Sequence, residues 1–348
     1  MAIRWGIIGC GNVTEIKSGP GFQKAEGSSL VAVMRRNGDL AADYARRHDV
    51  PRWYDNAEAL IHDAGVDAVY IATPPGSHLE YALQVCAAGK PAYVEKPMAR
   101  NHGECQQMVE AFKAAHLPLF VAFYRRGLPR FIKAQELIAS GQLGQVTGIN
   151  YRFVSTQQNL DPANLPWRLK AEDSGGGLFL DLASHTLDIL DFIFGPLENV
   201  SGAAANFSTV YDVEDRVVMH FGTTAGALGT ASWNFAGAVD EDVIQINGTQ
   251  ARLTLSTFGN EPLRLERKDG NETFDLPNPP HIQQPLIQTI VNELQGNGKC
   301  PSTGTSAART SRVMDNVLRS YYGGRDDAFW TRPDTWPGLK HRARNGKR

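Results

Sequence analysis

The sequence predicts an α/β protein: an N-terminal parallel sheet followed by an α+β domain with a large, mainly antiparallel open sheet. Three observations carry this reading. Short apolar runs alternate with helix-like stretches from Ile3 to about Ala122; the texture changes after Tyr124-Arg125-Arg126; and several β-like runs then follow in close succession. The change in texture divides the chain into a first domain at 1–122 and a second at 123–348.

In the first domain, strands are expected at 3–8, 30–34, 68–71, 92–95 and 119–122, with helices at 40–48, 57–62, 78–88 and 103–115. Ser77 with Glu80 and Asn101 with Glu104 have the spacing of capping boxes, which marks two helix starts. Gly19-Pro20-Gly21 interrupts the first helix early. Beyond the break, a helix at 130–140 precedes a strand at 146–155 and an irregular segment through Asp173. A second helix at 180–194 is stopped by Gly195-Pro196. Runs at 200–207, 216–221, 227–235, 243–246 and 252–256 predict a sheet with one face against helices, and closing helices are expected at 281–295 and 305–322.

With 348 residues the chain is long enough for two domains whose stability does not depend on disulfides or metals. A formal net charge of -2 gives no electrostatic case for nucleic acid or an anionic membrane. Cys10, Cys86, Cys105 and Cys300 are scattered without CxxC spacing, as in reduced cytoplasmic proteins. Residues 1–9 lack the pattern of a signal peptide, and no apolar run approaches bilayer length. The basic segment at 340–348 reads as a solvated tail.

The first strand runs into Gly9-Cys10-Gly11-Asn12-Val13-Thr14. Two glycines allow a tight turn and close approach to a pyrophosphate, although such a turn also occurs without a ligand. The next strand ends in Arg35-Arg36, where NAD sites place an acid that binds the ribose hydroxyls. Two guanidinium forks there suit a 2′-phosphate, which favours NADP and leaves NAD possible; a solvated charge pair is the alternative. Thr73-Pro74-Pro75 and His78 form another strand-end turn facing the dinucleotide, with Thr73 in contact and the prolines shaping the loop; His78 also reads simply as an early-helix residue.

Val94-Glu95-Lys96-Pro97 ends a third parallel strand. Lys96 there would reach both a nicotinamide ribose and a substrate oxygen, with Pro97 fixing the backbone just after it, a cis peptide being one way to do so; ordinary strand-end charges are the alternative. In Gly175-Gly176-Gly177-Leu178-Phe179-Leu180-Asp181-Leu182-Ala183-Ser184-His185, three glycines read as a flexible entry to a helix that puts Asp181 and His185 on one face. Imidazole titrates near neutrality, so His185 is a candidate general acid and base, with Asp181 orienting it or holding a substrate hydroxyl and Asp188 behind. A helix-start acid and a core histidine fit the same residues, and as metal ligands the pair would be only half a site, so no metal is expected. Trp167 and Arg168 would line a polar substrate pocket or pack on each other at the surface.

The glycine turn at Gly9, Thr73-Pro74-Pro75, Glu95-Lys96-Pro97 and the GGG-x3-D-x3-H segment ending at His185, in this order, resemble the glucose-fructose oxidoreductase, inositol dehydrogenase and rhizopine-catabolism family, Gfo/Idh/MocA. The resemblance implies a Rossmann domain followed by a domain whose large sheet serves an oligomer interface, giving a homodimer or homotetramer. It also implies NAD or NADP and substrates that are sugars, anhydro-sugars or polyols. Carried over by position, Lys96 and His185 are the catalytic pair and Asp181 is the substrate-binding partner. Cofactor contacts are then expected from Gly9, Gly11, Asn12, Val13, Arg35, Arg36, Thr73, Pro74, His78, Glu95 and Lys96, and substrate contacts from Lys96, Trp167, Arg168, Asp181 and His185. Thr14 and Ala183 stand where the family often has small residues or glycine. Two rival functions share these residues: a trans-dihydrodiol dehydrogenase and a catalytically silent NADP-binding regulator.

Overall fold

The computed structural model describes residues 1–156, 159–208, 210–325 and 328–340; the basic segment at 341–348 lies outside them. The chain forms two compact units. The first contains Met1–Ala99, Glu104–Leu128 and Asn278–Ala308; the second contains Arg100–Gly103, Pro129–Pro277 and the residues from Arg309 onward.

This division differs from a single cut at 122/123, because residues 278–308 return to the first unit. Their reason for doing so is polar as well as apolar. Tyr93 donates to Gln283 Oε1 at 2.9 Å, and Ser302 donates to the Val121 carbonyl at 2.7 Å, so the returning segment satisfies groups on the first sheet. Such contacts join residues about 180 positions apart, and no local pattern announces them.

The first unit holds a six-stranded parallel sheet of β1 (Ile3–Ile8), β2 (Ser28–Met34), β3 (Arg52–Tyr54), β4 (Ala68–Ile71), β5 (Ala92–Val94) and β6 (Leu119–Val121) in the order β3-β2-β1-β4-β5-β6. The strand order reverses between β1 and β4, and ligands of open parallel sheets bind at the carboxyl edge of that switch point. Both faces are covered. Trp5, Phe22, Tyr70 and Tyr93 stack on one side, with Trp5–Phe22 and Tyr70–Tyr93 centroids 4.9 and 4.8 Å apart. Ile8, Val69, Ile71 and Val94 lie in a cluster with Leu60, Val85 and Met108 of the helices. The short β3 escapes sequence reading because its three residues show no periodicity.

The second unit holds β7 (Val146–Thr156), β8 (Leu197–Ala205), β9 (Arg216–Thr223), β10 (Leu228–Gly237), β11 (Glu241–Gly248), β12 (Arg252–Leu255), β13 (Leu263–Arg267) and β14 (Gly270–Phe274) in the order β14-β13-β12-β11-β7-β10-β9-β8. β7 and β10 pair in parallel and every other neighbour pair is antiparallel. Ile149, Tyr151, Phe153, Ala231, Trp233 and Phe235 alternate inward, while Asn150, Arg152 and Thr230 face out. Phe179 meets Trp233 edge-on at 4.9 Å, which seats the 179–194 segment on the apolar face. That segment is not uniformly α-helical: Phe179–Ala183 is a π-turn and Ser184–Phe194 is the α-helix. Among the described residues no helix is long and apolar enough to cross a membrane.

Candidate active site

In the first unit three turns follow neighbouring strands on one edge. After β1, Gly9 adopts φ +91°, and a Cβ there would stand 2.8 Å from Thr73 Cγ2 and 3.0 Å from the Ala72 carbonyl carbon. Only glycine fits this bend beside the turn after β4. Gly11 faces open space, its nearest prospective Cβ neighbour being the Gly9 carbonyl oxygen at 3.9 Å. The backbone there is left bare for a ligand to approach, which is what a pyrophosphate requires. Asn12 and Val13 open the helix Asn12–Ile16, and Thr14, fully buried, donates to the Gly11 carbonyl at 2.8 Å. Thr14 therefore closes the turn from inside where a third glycine would allow close packing. Gly9→Ala is expected to cost about 1–3 kcal/mol through strain at this φ and to weaken dinucleotide binding, as read by thermal melting with and without cofactor.

Arg35 and Arg36 are exposed at the end of β2, and neither guanidinium has a hydrogen-bonding or ion-pair partner among the described residues. Burial pushes the Cys10 thiol up to about 11 and the charge of Arg35 opposes it, so Arg35 is felt at the glycine turn itself. Nearby Arg47 is engaged differently. It grips Glu15 at 2.7 and 2.9 Å and Asp43 at 2.7 Å, and it holds the Glu15 carboxyl down to about 2.

The turns after β4 and β5 are tied together by His78. It is fully buried, with Nε2 2.7 Å from the Thr73 carbonyl and Nδ1 3.1 Å from the Pro97 carbonyl. The imidazole, expected to contact a cofactor, lies between these backbone carbonyls; burial favours its neutral form, which donates to one of them, and its position ties the two turns together. Ser77 likewise departs from its expected role: it does not cap the following helix but donates to Thr73 Oγ1 at 2.8 Å. Pro74 stays exposed beside it.

Glu95 also turns inward. Its Oε1 accepts from Tyr70 at 2.5 Å and from Gln283 Nε2 at 2.7 Å, and its Oε2 accepts the Lys96 amide at 3.0 Å. The carboxylate is 6 % exposed and anchors the backbone from which Lys96 projects, so its contribution to a cofactor site comes through Lys96. The Lys96–Pro97 bond is cis. Gln283 escapes sequence reading because it enters from the returning segment.

In the second unit the π-turn carries Asp181, and His185 lies in the first turn of the α-helix that follows. π-turns inside helices cluster at functional sites, and one carries an extra residue per hydrogen-bonded loop, so the pair is spaced differently from the α-helical expectation. Asp181 accepts from Arg168 Nε at 2.7 Å, and the Arg168 guanidinium lies 4.3 Å from the Trp167 ring centroid. Trp167, Arg168 and Asp181 are thereby brought together, with the Arg168 side chain 45 % exposed and that of Asp181 11 %. His185 is 4 % exposed and meets the edge of Phe258 at 5.9 Å. Asp188 is buried one turn beyond it. Phe258 is itself set by Asp242, whose carboxylate accepts the Thr257, Phe258 and Gly259 amides. Among the described residues no group of three or more His, Cys, Asp or Glu is placed to hold a metal ion.

The bare glycine turn and the uncommitted arginines have the form of a dinucleotide site in the first unit, and one segment of the second unit carries the carboxylate of Asp181 and the imidazole of His185. Known proteins bear on this arrangement. Residues 3–123 match a family model described as an oxidoreductase family with an NAD-binding Rossmann fold, and residues 131–254 match the GFO/IDH/MocA C-terminal domain. The chain is 39 % identical over 317 residues to Oxidoreductase P35 of Formosa agariphila, covering 90 % of this chain and 97 % of that one. It is 26 % identical over 309 residues to 1,5-anhydro-D-fructose reductase of Ensifer adhaerens, covering 86 % and 91 %. A solved levoglucosan dehydrogenase in complex with NADH and levoglucosan shares its fold, with a TM-score of 0.82 at 21 % identity over 92 % of this chain and 97 % of that one.

Proposed function

Because the chain belongs to the Gfo/Idh/MocA family of oxidoreductases, we propose that it uses NADP to interconvert a carbinol and a carbonyl on a sugar, anhydro-sugar or polyol. The observation that carries the cofactor choice is the pair of uncommitted guanidinium groups at Arg35 and Arg36 where NAD sites place a carboxylate. The relatives named for 1,5-anhydro-D-fructose and levoglucosan support an oxygen-rich ring as substrate.

Nicotinamide, when bound, supplies or accepts the hydride. The protein does the rest. Gly9, Gly11, Asn12, Val13, Thr73 and Pro74 would hold the dinucleotide, and Arg35 and Arg36 its ribose phosphate. Lys96 stabilises negative charge at the substrate oxygen, and His185 gives that oxygen a proton in reduction and removes it in oxidation. Asp181, fixed by Arg168, accepts from a substrate hydroxyl, with the Trp167 face beside it. A second copy would dock on the outward face of the eight-stranded sheet, giving a dimer or tetramer visible by sedimentation.

Arg35→Asp tests the cofactor assignment. The acid should repel the 2′-phosphate, raising KM for NADPH by about 10-fold or more while leaving NADH equal or improved. Equal losses with both cofactors would remove Arg35 from phosphate recognition.

A further inference from the structure

The three glycines before Asp181 read in sequence as a flexible entry, yet the first and the third are each pressed against backbone of another segment. Gly175 has φ +83°, and its Cβ would lie 2.2 Å from the Arg100 carbonyl oxygen. At Gly177 it would lie 2.3 Å from the Glu214 carbonyl oxygen, so backbone excludes a side chain at both positions, whereas at Gly176, between them, the nearest atom is the movable Leu180 Cδ2 at 2.6 Å. The segment is clamped.

Two buried charged groups form the clamp. Glu214, fully buried, accepts the Gly177 amide on both carboxylate oxygens at 2.9 and 3.0 Å, and Tyr322 donates its hydroxyl to Oε2. Arg325, 2 % exposed, donates to the Gly175 carbonyl, to the Arg100 carbonyl at 2.7 Å and to Asp315 Oδ1 at 2.8 Å. Its guanidinium lies 5.1 and 4.7 Å from the ring centroids of Tyr322 and Phe329.

We propose that Glu214 is a positioning residue for the proton-transfer segment: by gripping the Gly177 amide it sets where Asp181 and His185 stand, and its charge state governs that grip. The proposal rests on the reading of His185 as the proton carrier. A buried carboxylate needs donors to offset its desolvation, and here one of them, the Gly177 amide, belongs to the segment that has to be held.

The groups facing Glu214 are the Tyr322 hydroxyl, the Arg325 guanidinium, the more distant Tyr211 and the Gly177 amide. Its neighbour Asp215 turns away to the Phe207 and Ser208 amides. Burial pushes the Glu214 carboxyl up to about 7, against the pull of Tyr322, Arg325 and the amides. As pH falls through that value the carboxylate takes a proton, the Gly177 amide loses its charged acceptor and the segment loosens. Turnover should therefore fall on the acid side through an ionisation that belongs to Glu214.

The test uses the full-length chain with Glu214→Gln, which keeps the shape and one acceptor, and Tyr322→Phe, which keeps the carboxylate but removes its donor. For Glu214→Gln we expect wild-type melting and cofactor affinity, kcat lower by about 10–100-fold, the near-neutral acid limb gone from the kcat profile, and faster hydrogen exchange at the Gly177 amide. Tyr322→Phe should move that limb to higher pH, because the lost hydroxyl favoured the ionised form. A Glu214→Gln protein with the wild-type kcat profile and wild-type exchange at Gly177 would overturn the proposal. A wild-type chain silent on every substrate would instead fault the functional reading, and exchange at Gly177, read without substrate, would still decide whether Glu214 holds the segment.

Discussion

His185→Ala is expected to lower kcat by about 10²–10⁴-fold, the usual contribution of a positioned general acid and base, while the affinity for NADPH stays at its wild-type value. The reasoning joins chemistry to placement. His185 is the one imidazole in the segment that also holds Asp181, its ring is set against Phe258, and Phe258 is held by the Asp242 carboxylate. The dinucleotide turn belongs to a different compact unit, so the substitution should leave its glycines and arginines undisturbed. Pre-steady-state turnover with fluorescence titration of NADPH separates the two effects. Undiminished kcat would remove His185 from proton transfer.

Replacing Lys96 by methionine should be nearly as severe. Removing one preorganised donor from a developing oxyanion costs about 10²–10³-fold in kcat, and methionine keeps most of the apolar stem. Lys96 projects from a backbone braced on both sides: Glu95 holds its amide, and His78 lies against the Pro97 carbonyl beyond it. Such bracing suits a group whose task depends on where its ammonium stands. Lys96→Arg, which retains the charge but changes its shape and reach, should recover only part of the rate. A loss confined to KM for cofactor, with kcat intact, would reassign Lys96 to binding alone.

Much of the first unit was legible because its elements announce themselves locally. The strands at 3–8 and 68–71 and the helix at 57–62 coincide with β1 (Ile3–Ile8), β4 (Ala68–Ile71) and Ala57–His62. The glycine at position 9 was legible for the same reason, since a turn this tight admits no other residue. What could not be read is what depends on distant partners. Residues 278–308 pack with the first unit because Gln283 and Ser302 answer polar groups on its sheet. The inward turn of His78 and Glu95 is invisible to a motif, which records that a residue is present but not which way its side chain faces. The π-turn at Phe179–Ala183 follows the same rule, since the apolar pattern of 180–194 suits an α-helix throughout. Glu214 and Arg325 carry no local signal beyond being charged residues, and their importance lies in being buried against Gly175–Gly177.

We propose that this chain oxidises a carbinol carbon of a sugar-like ring and reduces the matching carbonyl, with Lys96 and His185 acting on the oxygen. The deciding measurement incubates the protein with NADP and a panel of anhydro-sugars, inositols, aldoses and a dihydrodiol, each deuterated at its carbinol carbons, and weighs the reduced cofactor by mass spectrometry. Deuterium from a sugar, anhydro-sugar or polyol should appear in the reduced nicotinamide with the wild-type chain and fall by orders of magnitude with His185→Ala. Transfer from the dihydrodiol alone, or bound NADP with no transfer from any member of the panel, would contradict it.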